Sequence, residues 1–390
     1  MPLINYNKIP RLLGSKLLWE SAHGRRGFKI RNYDDGNYVY IEFLQGSNFK
    51  TYSLEKLLSK SIIQQIQSEQ LILVLCNAQH GYHNCIDELY RYIVLHSEIP
   101  PRQLLLLSNS PDILTEIKYV SEKYNQPQIR VEFMVEFEQE AHYILQETSY
   151  YNDTLENKIY SKKFLSFNGL PREHRTAVVS LLKINNLLEY GYVSYNVRTH
   201  DGVKLTYDGL LNCFYTEHYI TSIFKENESL ISNIEPMYLD TTKENHHLAH
   251  PLGIADSHLP LYQNTYFSLI TETAAYQRYS DDGFTGAGRI LSEKTFKAII
   301  NCHPFILVAM PGALELLQSL GYKTFSPWIN EDYDTEANDA TRTLMIIEEV
   351  KKLCNLSTTE LTEFLAFAKP IVEYNYQLLL EKTNWLYPLN

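Results

Sequence analysis

The chain has 390 residues, of which 44% are hydrophobic and 21% charged, so it can bury a sizeable core and is not intrinsically disordered. This length exceeds what one hydrophobic core usually serves, and two domains are therefore expected. The net charge is −11 and the chain has no long run of basic residues, so we do not expect it to bind a long nucleic acid.

The distribution of apolar residues indicates neither secretion nor a membrane span. No window of about 18 apolar residues exists, and the first residues do not combine a basic segment with an apolar run, so we expect neither a membrane span nor secretion. The five cysteines are widely spaced and lack metal-ligand spacing, which fits reduced thiols. We therefore expect a cytoplasmic protein of bacterial or viral type, acting in the host cytoplasm if viral.

The first half begins with a predicted β-hairpin and continues with strand, loop and helix units. Residues 27–43 alternate apolar and polar side chains around an Asp-Asp-Gly turn. Residues 71–76 and 104–108 and the VEFMVEF segment at 131–137 are apolar runs typical of strands in a parallel sheet, and the first two are followed by helical patterns. Such a sheet binds its ligands at the carboxyl ends of its strands.

A polar segment without periodicity, residues 147–162, predicts a linker to a second α/β domain. Beyond it we predict strands at 163–168, 266–273, 304–309 and 323–325, and helices at 172–188, 293–301, 313–320 and from 341 almost to the end. The fold class is therefore α/β, with two Rossmann-like domains, parallel sheets and a helical C-terminus.

Basic side chains open two of the predicted helices in the second half. Arg172 and Arg175 follow a strand directly, and Lys294 lies in the first turn of its helix. A diphosphate is held by fixed positive charge and by helix N-terminal amides, so these positions suit one anion at the strand ends. Two plain alternatives stay open: the arginines are solvated helix-surface residues, and Ser292 with Glu293 is an ordinary N-cap with an acid in the first turn.

Two stretches of the second half carry a family resemblance. The first stretch, residues 163–194, contains a strand, an Asn-containing loop with paired arginines, and a helix, in that order. The second consists of ITET at 270–273 followed by LSEKTFKAII at 291–300 and the segment up to residue 325. They resemble glycosyltransferases of the two-Rossmann (GT-B) type, most closely the α1,3-fucosyltransferase and exostosin-like groups. The first half shows no motif of these families.

The resemblance implies a nucleotide diphosphate sugar as co-substrate, bound by the C-terminal domain, and inverting transfer to a hydroxyl acceptor such as a glycan. Glu293 would bind ribose hydroxyls and Lys294 phosphate, while Arg172 and Arg175 neutralise the departing diphosphate with no obligatory metal or other cofactor. The donor-binding residues predicted on this basis are Arg172, Arg175, Glu272, Ser292, Glu293 and Lys294.

The resemblance also implies the arrangement of the chain. Residues 1–158 would form the acceptor-side domain with its opening hairpin, and residues 159–360 the donor-binding domain that faces it across a cleft. Residues 361–390 would form a C-terminal helix that returns toward the first domain.

An inverting transfer needs a general base that deprotonates the acceptor hydroxyl, and we expect it on a loop at a strand end of the first domain. His80, the earliest histidine in the loop after residues 71–76, is the first candidate, and Glu136 and Glu138 are the next. Each is equally explained as an ordinary loop or helix-face residue.

Two further patterns are interpreted as non-metal features. Residues 331–334 contain the acid-x-acid pattern that single-Rossmann glycosyltransferases use for a divalent cation, but an acidic loop lining the pocket is the preferred interpretation. The HHLAH segment at 246–250 lacks an acid at helical spacing, so no metal site is predicted.

Two alternatives to a glycosyltransferase remain. One is a non-catalytic binding or structural protein on a similar fold, and the other is a different α/β enzyme such as an epimerase or a phosphatase. A nicotinamide-dependent epimerase would need a Gly-rich loop after the first strand, which residues 77–84 do not provide.

Overall fold

The computed structural model describes residues 28–32, 38–43, 53–77, 85–148, 160–169, 171–196, 207–213, 218–239, 259–276 and 288–384. These residues belong to two compact units. The first lies within Met1–Tyr143, Gln277–Ile290 and Lys382–Asn390, and the second within Ile144–Tyr276 and Leu291–Glu381.

The first unit contains a five-stranded sheet in the order β1-β2-β3-β4-β5. Strands β1 (Phe28–Asn32) and β2 (Tyr38–Phe43) pair antiparallel, which confirms the predicted hairpin. Strands β3 (Ile72–Asn77), β4 (Leu104–Ser108) and β5 (Arg130–Phe133) follow in parallel, each beside the one before it. Four parallel strands with helices between them confirm the α/β class of this unit.

Helices cover this sheet and bury its leucine-rich strands. They are α1 (Leu54–Leu57), α2 (Lys60–Gln67), α3 (Cys85–Glu88) with its π-helical continuation Leu89–His96, α4 (Ile113–Lys123) and α5 (Glu136–Thr148), with a 3-10 turn at Pro101–Gln103. Tyr90 lies fully buried in the core, and its hydroxyl donates to Pro127 O (3.0 Å) and accepts from Ile129 N (3.1 Å). A buried phenol with both roles satisfied fixes the chain that enters β5.

The strand predicted over residues 131–137 is shorter than expected. Strand β5 ends at Phe133, Met134 N donates to Ser108 O (2.8 Å), and α5 begins at Glu136. Acidic residues in the first turn of a helix interact favourably with its dipole, and the apolar run concealed that helix start.

The second unit contains a four-stranded parallel sheet in the order β7-β6-β8-β9. Its strands are β6 (Phe164–Ser166), β7 (Gly191–Val193), β8 (Phe267–Thr271) and β9 (Phe305–Val308). The chain adds β7 on one side of β6 and then returns to add β8 on the other side. The boundary between β6 and β8 is therefore a topological switch point, where open α/β sheets form their ligand crevice.

Strand β7 was not predicted from the sequence. It has three residues, too few for a hydrophobic pattern, and it fits beside β6 because Gly191 has no side chain. A Cβ at Gly191 would lie 2.4 Å from Cζ of Phe164, whose ring stacks on Phe267. The close approach of β7 to β6 thus depends on this glycine.

The strand predicted at residues 323–325 is wrong. Lys323 N donates to Asn375 Oδ1 (2.8 Å) and Lys323 O accepts from Asn375 Nδ2 (2.9 Å), so a buried side-chain amide takes the place of a neighbouring strand. Phe325 N donates to Glu331 Oε1 (2.7 Å). The local apolar pattern could not show that side chains from distant segments satisfy this backbone.

The helices of the second unit surround its sheet. They are α6 (Glu173–Ile184), α7 (Tyr207–Cys213), α8 (His218–Glu226), α9 (Glu228–Ser232), α10 (Leu259–Gln263), α11 (Glu293–Ile300), α12 (Ala313–Ser319), α13 (Asp339–Asn355) and α14 (Thr358–Glu381), with 3-10 turns at Leu188–Tyr190 and Asp332–Thr335. The last two helices confirm the predicted helical C-terminus. Among the described residues, none of the helices has the length and hydropathy needed to cross a bilayer.

Candidate anion-binding site

The candidate site lies where β6 and β8 end, at the switch point of the second sheet. Arg172 is the N-cap residue of α6, which follows β6, and α11 begins at Glu293 in the segment that follows β8. Because β6 and β8 are parallel neighbours, the loops after them leave from the same edge of the sheet.

Glu272, the residue directly after β8, organises this edge. Its carboxylate is fully buried; Oε1 accepts from Ser292 N (2.9 Å) and Thr295 Oγ1 (2.6 Å), and Oε2 accepts from Thr273 N (2.9 Å). Three donors compensate the burial of the carboxylate and attach the start of α11 to the end of β8. Glu272 was predicted to bind the nucleotide sugar. In this structure its carboxylate holds Ser292, Thr295 and Thr273 in position.

Lys294 sits at the centre of the loop that Glu272 holds. Its Nζ donates to Glu293 Oε1 (2.6 Å), Ser292 Oγ (3.1 Å) and Thr273 Oγ1 (3.3 Å). Ser292 is the N-cap of α11, and its Oγ accepts from Lys294 N (3.4 Å), so the N-cap interpretation of the sequence is confirmed. The predicted triplet 292–294 is thus joined by hydrogen bonds to the loop after β8.

The start of α6 meets the same loop from the other side. Arg172 Nη1 donates to Thr273 O (2.7 Å), Arg175 Nη2 donates to Glu272 O (3.2 Å), and His174 Nε2 donates to the same carbonyl (2.9 Å). Thr273 therefore contacts both Arg172 and Lys294, and the two predicted basic elements converge on a single residue.

Burial and neighbouring charges determine the protonation states of His174 and Arg175 at the start of α6. Burial lowers the pKa of His174 well below its usual value, and Arg175 and Arg172 lower it further, so this imidazole is neutral at pH 7. Burial lowers the pKa of Arg175 to about 10, with a further contribution from Arg172, which leaves the guanidinium charged. The start of α6 thus presents two cations and one neutral imidazole.

Glu293 is ionised among cations. Burial by itself raises its pKa, but Lys294, Lys297 and Arg175 outweigh that effect and bring the pKa of Glu293 to about 2. We define the basic cluster as Arg172, Arg175, Lys294, Lys297, Glu272 and Glu293. Its four basic side chains exceed its two carboxylates by two charges, in a protein whose net charge is −11.

A small cleft opens beside the basic cluster. Lys294 and Lys297 of α11, Phe167 after β6 and Tyr262 of α10 line it, and the apolar side chains of β6 and β8 contribute to its walls. Its volume of about 30 Å³ has room for about two water molecules.

Helix α13 fixes the end of the loop after β8. The guanidinium of Arg342 donates to Ala275 O and to Glu336 O (2.8 Å), and Tyr276 Oη lies 3.0 Å from Thr343 Oγ1. No role was predicted from the sequence for Arg342, His174 or Lys297. The nearest signal was spacing, since Lys297 follows Lys294 by three residues and His174 stands between two arginines.

The general-base candidates belong to the first half of the chain. His80 lies outside the described residues, as does the HHLAH segment considered above for a metal. Glu136 and Glu138 are buried at the start of α5, and Lys382 Nζ lies 2.5 Å from Glu138 Oε1. A catalytic role for His80 or Glu136 stays a prediction.

The carboxylates of the acidic loop serve the backbone of their own surroundings. Asp334 accepts from Leu314 N (2.9 Å) and Glu315 N (3.0 Å) at the start of α12, and Glu331 accepts from Phe325 N. These contacts explain the acid-x-acid pattern by helix capping and loop closure.

Comparisons with known proteins give one weak structural likeness. No protein-family model matches the chain, and no curated protein matches it. A solved structure, the N-terminal domain of trehalose-6-phosphate phosphatase from Candida albicans, is similar with a TM-score of 0.35 and 11% identity over 81% of this chain. The match spans 64% of that structure's chain, and at this TM-score it does not identify a function.

Proposed function

We propose that the protein is a glycosyltransferase that moves a sugar from a nucleotide diphosphate donor to a hydroxyl acceptor such as a glycan, with inversion and without an obligatory metal. The observation that carries the proposal is the convergence of Arg172 and Lys294 on Thr273, with Arg175 beside them, at the switch point of a parallel sheet. This is the edge at which such sheets bind nucleotides.

The charge at this edge suits a departing diphosphate. Negative charge grows on the leaving group as the glycosidic bond to the donor breaks, and fixed cations stabilise that charge without reorganisation. Arg175 is buried and held by backbone carbonyls, so its position is set before a ligand arrives. The N-terminus of α11 adds the partial positive charge of its helix dipole.

The contacts of Lys294 and Glu293 fit the roles that the family resemblance implies. A phosphate oxygen would replace the Glu293 carboxylate as a partner of Lys294 Nζ, and the freed carboxylate would accept hydrogen bonds from ribose hydroxyls. In the ligand-free protein the neighbouring cations bring the pKa of Glu293 to about 2, so this carboxylate is ionised before a ligand binds.

The first test is binding of nucleotides and nucleotide sugars by the purified full chain. We expect UDP, GDP or their sugars to raise the melting temperature, and Lys294→Ala to weaken that binding about tenfold or more because it removes a charge-assisted contact. Lys351→Ala is the matched control, since the side chain of Lys351 on α13 is 44% exposed and belongs to no part of the site.

Two results would overturn the proposal. One is a wild-type protein that shows no thermal shift with any of these compounds and hydrolyses no nucleotide sugar, which would favour a non-catalytic protein. The other is unchanged nucleotide affinity in a folded Lys294→Ala variant.

A further inference from the structure

Lys297 shares one face of α11 with Lys294. The two residues are three positions apart, a spacing that places their Cβ atoms about 5–6 Å from each other on a helix. Both side chains line the cleft beside the basic cluster, and Lys297 Nζ lies 5.9 Å from the centre of the Phe167 ring. The family resemblance assigns a phosphate to Lys294 and nothing to Lys297.

The two ammonium groups also act on the same carboxylate. Glu293 contacts Lys294 directly at 2.6 Å and is influenced electrostatically by Lys297 as well. A doubly charged anion at the cleft would therefore lie within the electrostatic influence of both ammonium groups.

The walls of the cleft restrict what else could hold an anion there. Leu165, Leu269 and Ile270 line it with apolar side chains, which offer a phosphate no hydrogen bonds. The hydroxyl-bearing residues of the lining, Tyr262, Ser268 and Thr271, contribute no positive charge. Among the residues that line the cleft, the lysines carry the positive charge.

We infer that Lys297 is the second phosphate-binding group of this site, so that the cleft and the basic cluster bind two linked phosphoryl groups and distinguish a nucleoside diphosphate from a monophosphate. One phosphoryl group contacts Lys294 and Arg172 near Thr273, and the other contacts Lys297. The inference rests on the proposed function and adds to it a specificity-determining residue and the reason for diphosphate recognition.

A structural role for Lys297 predicts a different outcome. Lys297 lies in the last turn of α11, where a cation stabilises the helix through its dipole. Loss of that contribution would lower stability without changing the preference of the protein for diphosphate over monophosphate.

The test compares UDP with UMP and GDP with GMP by isothermal titration on the full chain. For the nucleotide that the wild type binds, Lys297→Ala should weaken diphosphate binding about tenfold and leave monophosphate binding within about twofold. Lys297→Arg should retain most of the diphosphate preference, because it keeps the charge. Lys351→Ala should behave as the wild type.

The outcomes separate the inference from the proposed function. If the wild type binds a diphosphate and Lys297→Ala keeps the wild-type ratio of diphosphate to monophosphate affinity, the inference is wrong and the proposed function stands. If the wild type binds neither form, both are wrong. Should Lys297→Ala melt far below the wild type, Lys297→Gln provides the same comparison in a side chain of similar length.

Discussion

Glu272 illustrates how a single side chain can determine the geometry of a site without lying at its surface. Its two oxygens receive donors from Ser292, Thr295 and Thr273, which belong to two segments about 20 residues apart in sequence. Water is excluded from this carboxylate, so each donor contributes more than it would at the surface. The orientation of Lys294 therefore depends on a residue that the ligand need not touch.

Glu272→Gln should destabilise the protein and weaken ligand binding together. The amide keeps one acceptor oxygen but turns its NH₂ group toward a backbone N–H, which leaves donors unpaired in a buried place. We expect a loss of about 1–3 kcal/mol in the free energy of unfolding, measured with urea. Glu363→Gln, at an exposed position of α14, is the control. Equal stability of Glu272→Gln and the wild type would contradict the contacts described.

Glu116 on α4 gives a prediction on pH. Burial raises its pKa from the usual 4.5 to about 8, and within the part of the chain that the structure describes its Oε2 accepts no hydrogen bond. The folded protein therefore binds this proton more tightly than the unfolded chain, so the free energy of unfolding falls as the pH rises from about 4.5 to about 8.

Glu116→Gln should remove this pH dependence, because a glutamine carries no charge. We expect the variant to be more stable than the wild type at pH 8 by about 3 kcal/mol, with a smaller difference at pH 5. Urea unfolding at both pH values measures the effect, and Glu122→Gln, exposed on the same helix, is the control. The prediction fails if the advantage of Glu116→Gln is the same at both pH values.

At the scale of elements, the ends of helices show what a sequence conveys and what it conceals. The start of α11 was predicted because its cap, Ser292, precedes it directly. The start of α12 receives its capping carboxylate from Asp334, 20 residues further along, and its own N-cap position is Gly312 in the left-handed conformation. Local capping is visible in sequence, whereas a cap supplied from a distant turn is not.

Asp334→Ala should therefore shorten or loosen α12. Its carboxylate satisfies two amides at the helix start, and we expect a cost of about 1 kcal/mol in the free energy of unfolding. Asp332→Ala removes an exposed carboxylate from the same 3-10 turn and is the control. If both variants lose the same stability, general charge effects and not capping explain the result.

Some strands, like some helix starts, were visible in the sequence and others were not. The long apolar runs of β3, β4 and β9 were found because burial on both faces requires them. Strand β7 was missed because its short length leaves no pattern, and residues 323–325 were assigned wrongly because Asn375 replaces a partner strand. The candidate site was predicted through its triplet at 292–294, whereas the buried positioning groups around it required three-dimensional contacts.

At the scale of the whole molecule, the net charge of −11 repels an anionic ligand, whereas the basic cluster attracts it. The two effects extend over different distances. A small anion at the cluster interacts mainly with groups within a Debye length, about 8 Å at physiological salt. A long polyanion would also meet the excess of acidic residues elsewhere on the chain. Local and overall charge together favour a ligand the size of a nucleotide.

A fluorescently labelled single-stranded oligonucleotide should therefore not bind at physiological salt under conditions in which a nucleoside diphosphate does. Fluorescence polarisation measures this directly, with unlabelled nucleoside diphosphate as competitor. Oligonucleotide binding that falls steeply with salt would indicate several phosphate contacts and contradict a site for one small ligand.

The short outer strands of the second sheet have a consequence for the protein in concentrated solution. In the described part of this unit, β7 has three residues and β9 has four, so each offers few backbone groups to a strand of another molecule. Long, flat strands at such positions are templates for aggregation and domain swapping. Substituting β-branched residues after Val193 would lengthen β7 and create an edge strand long enough to pair with a strand of another molecule.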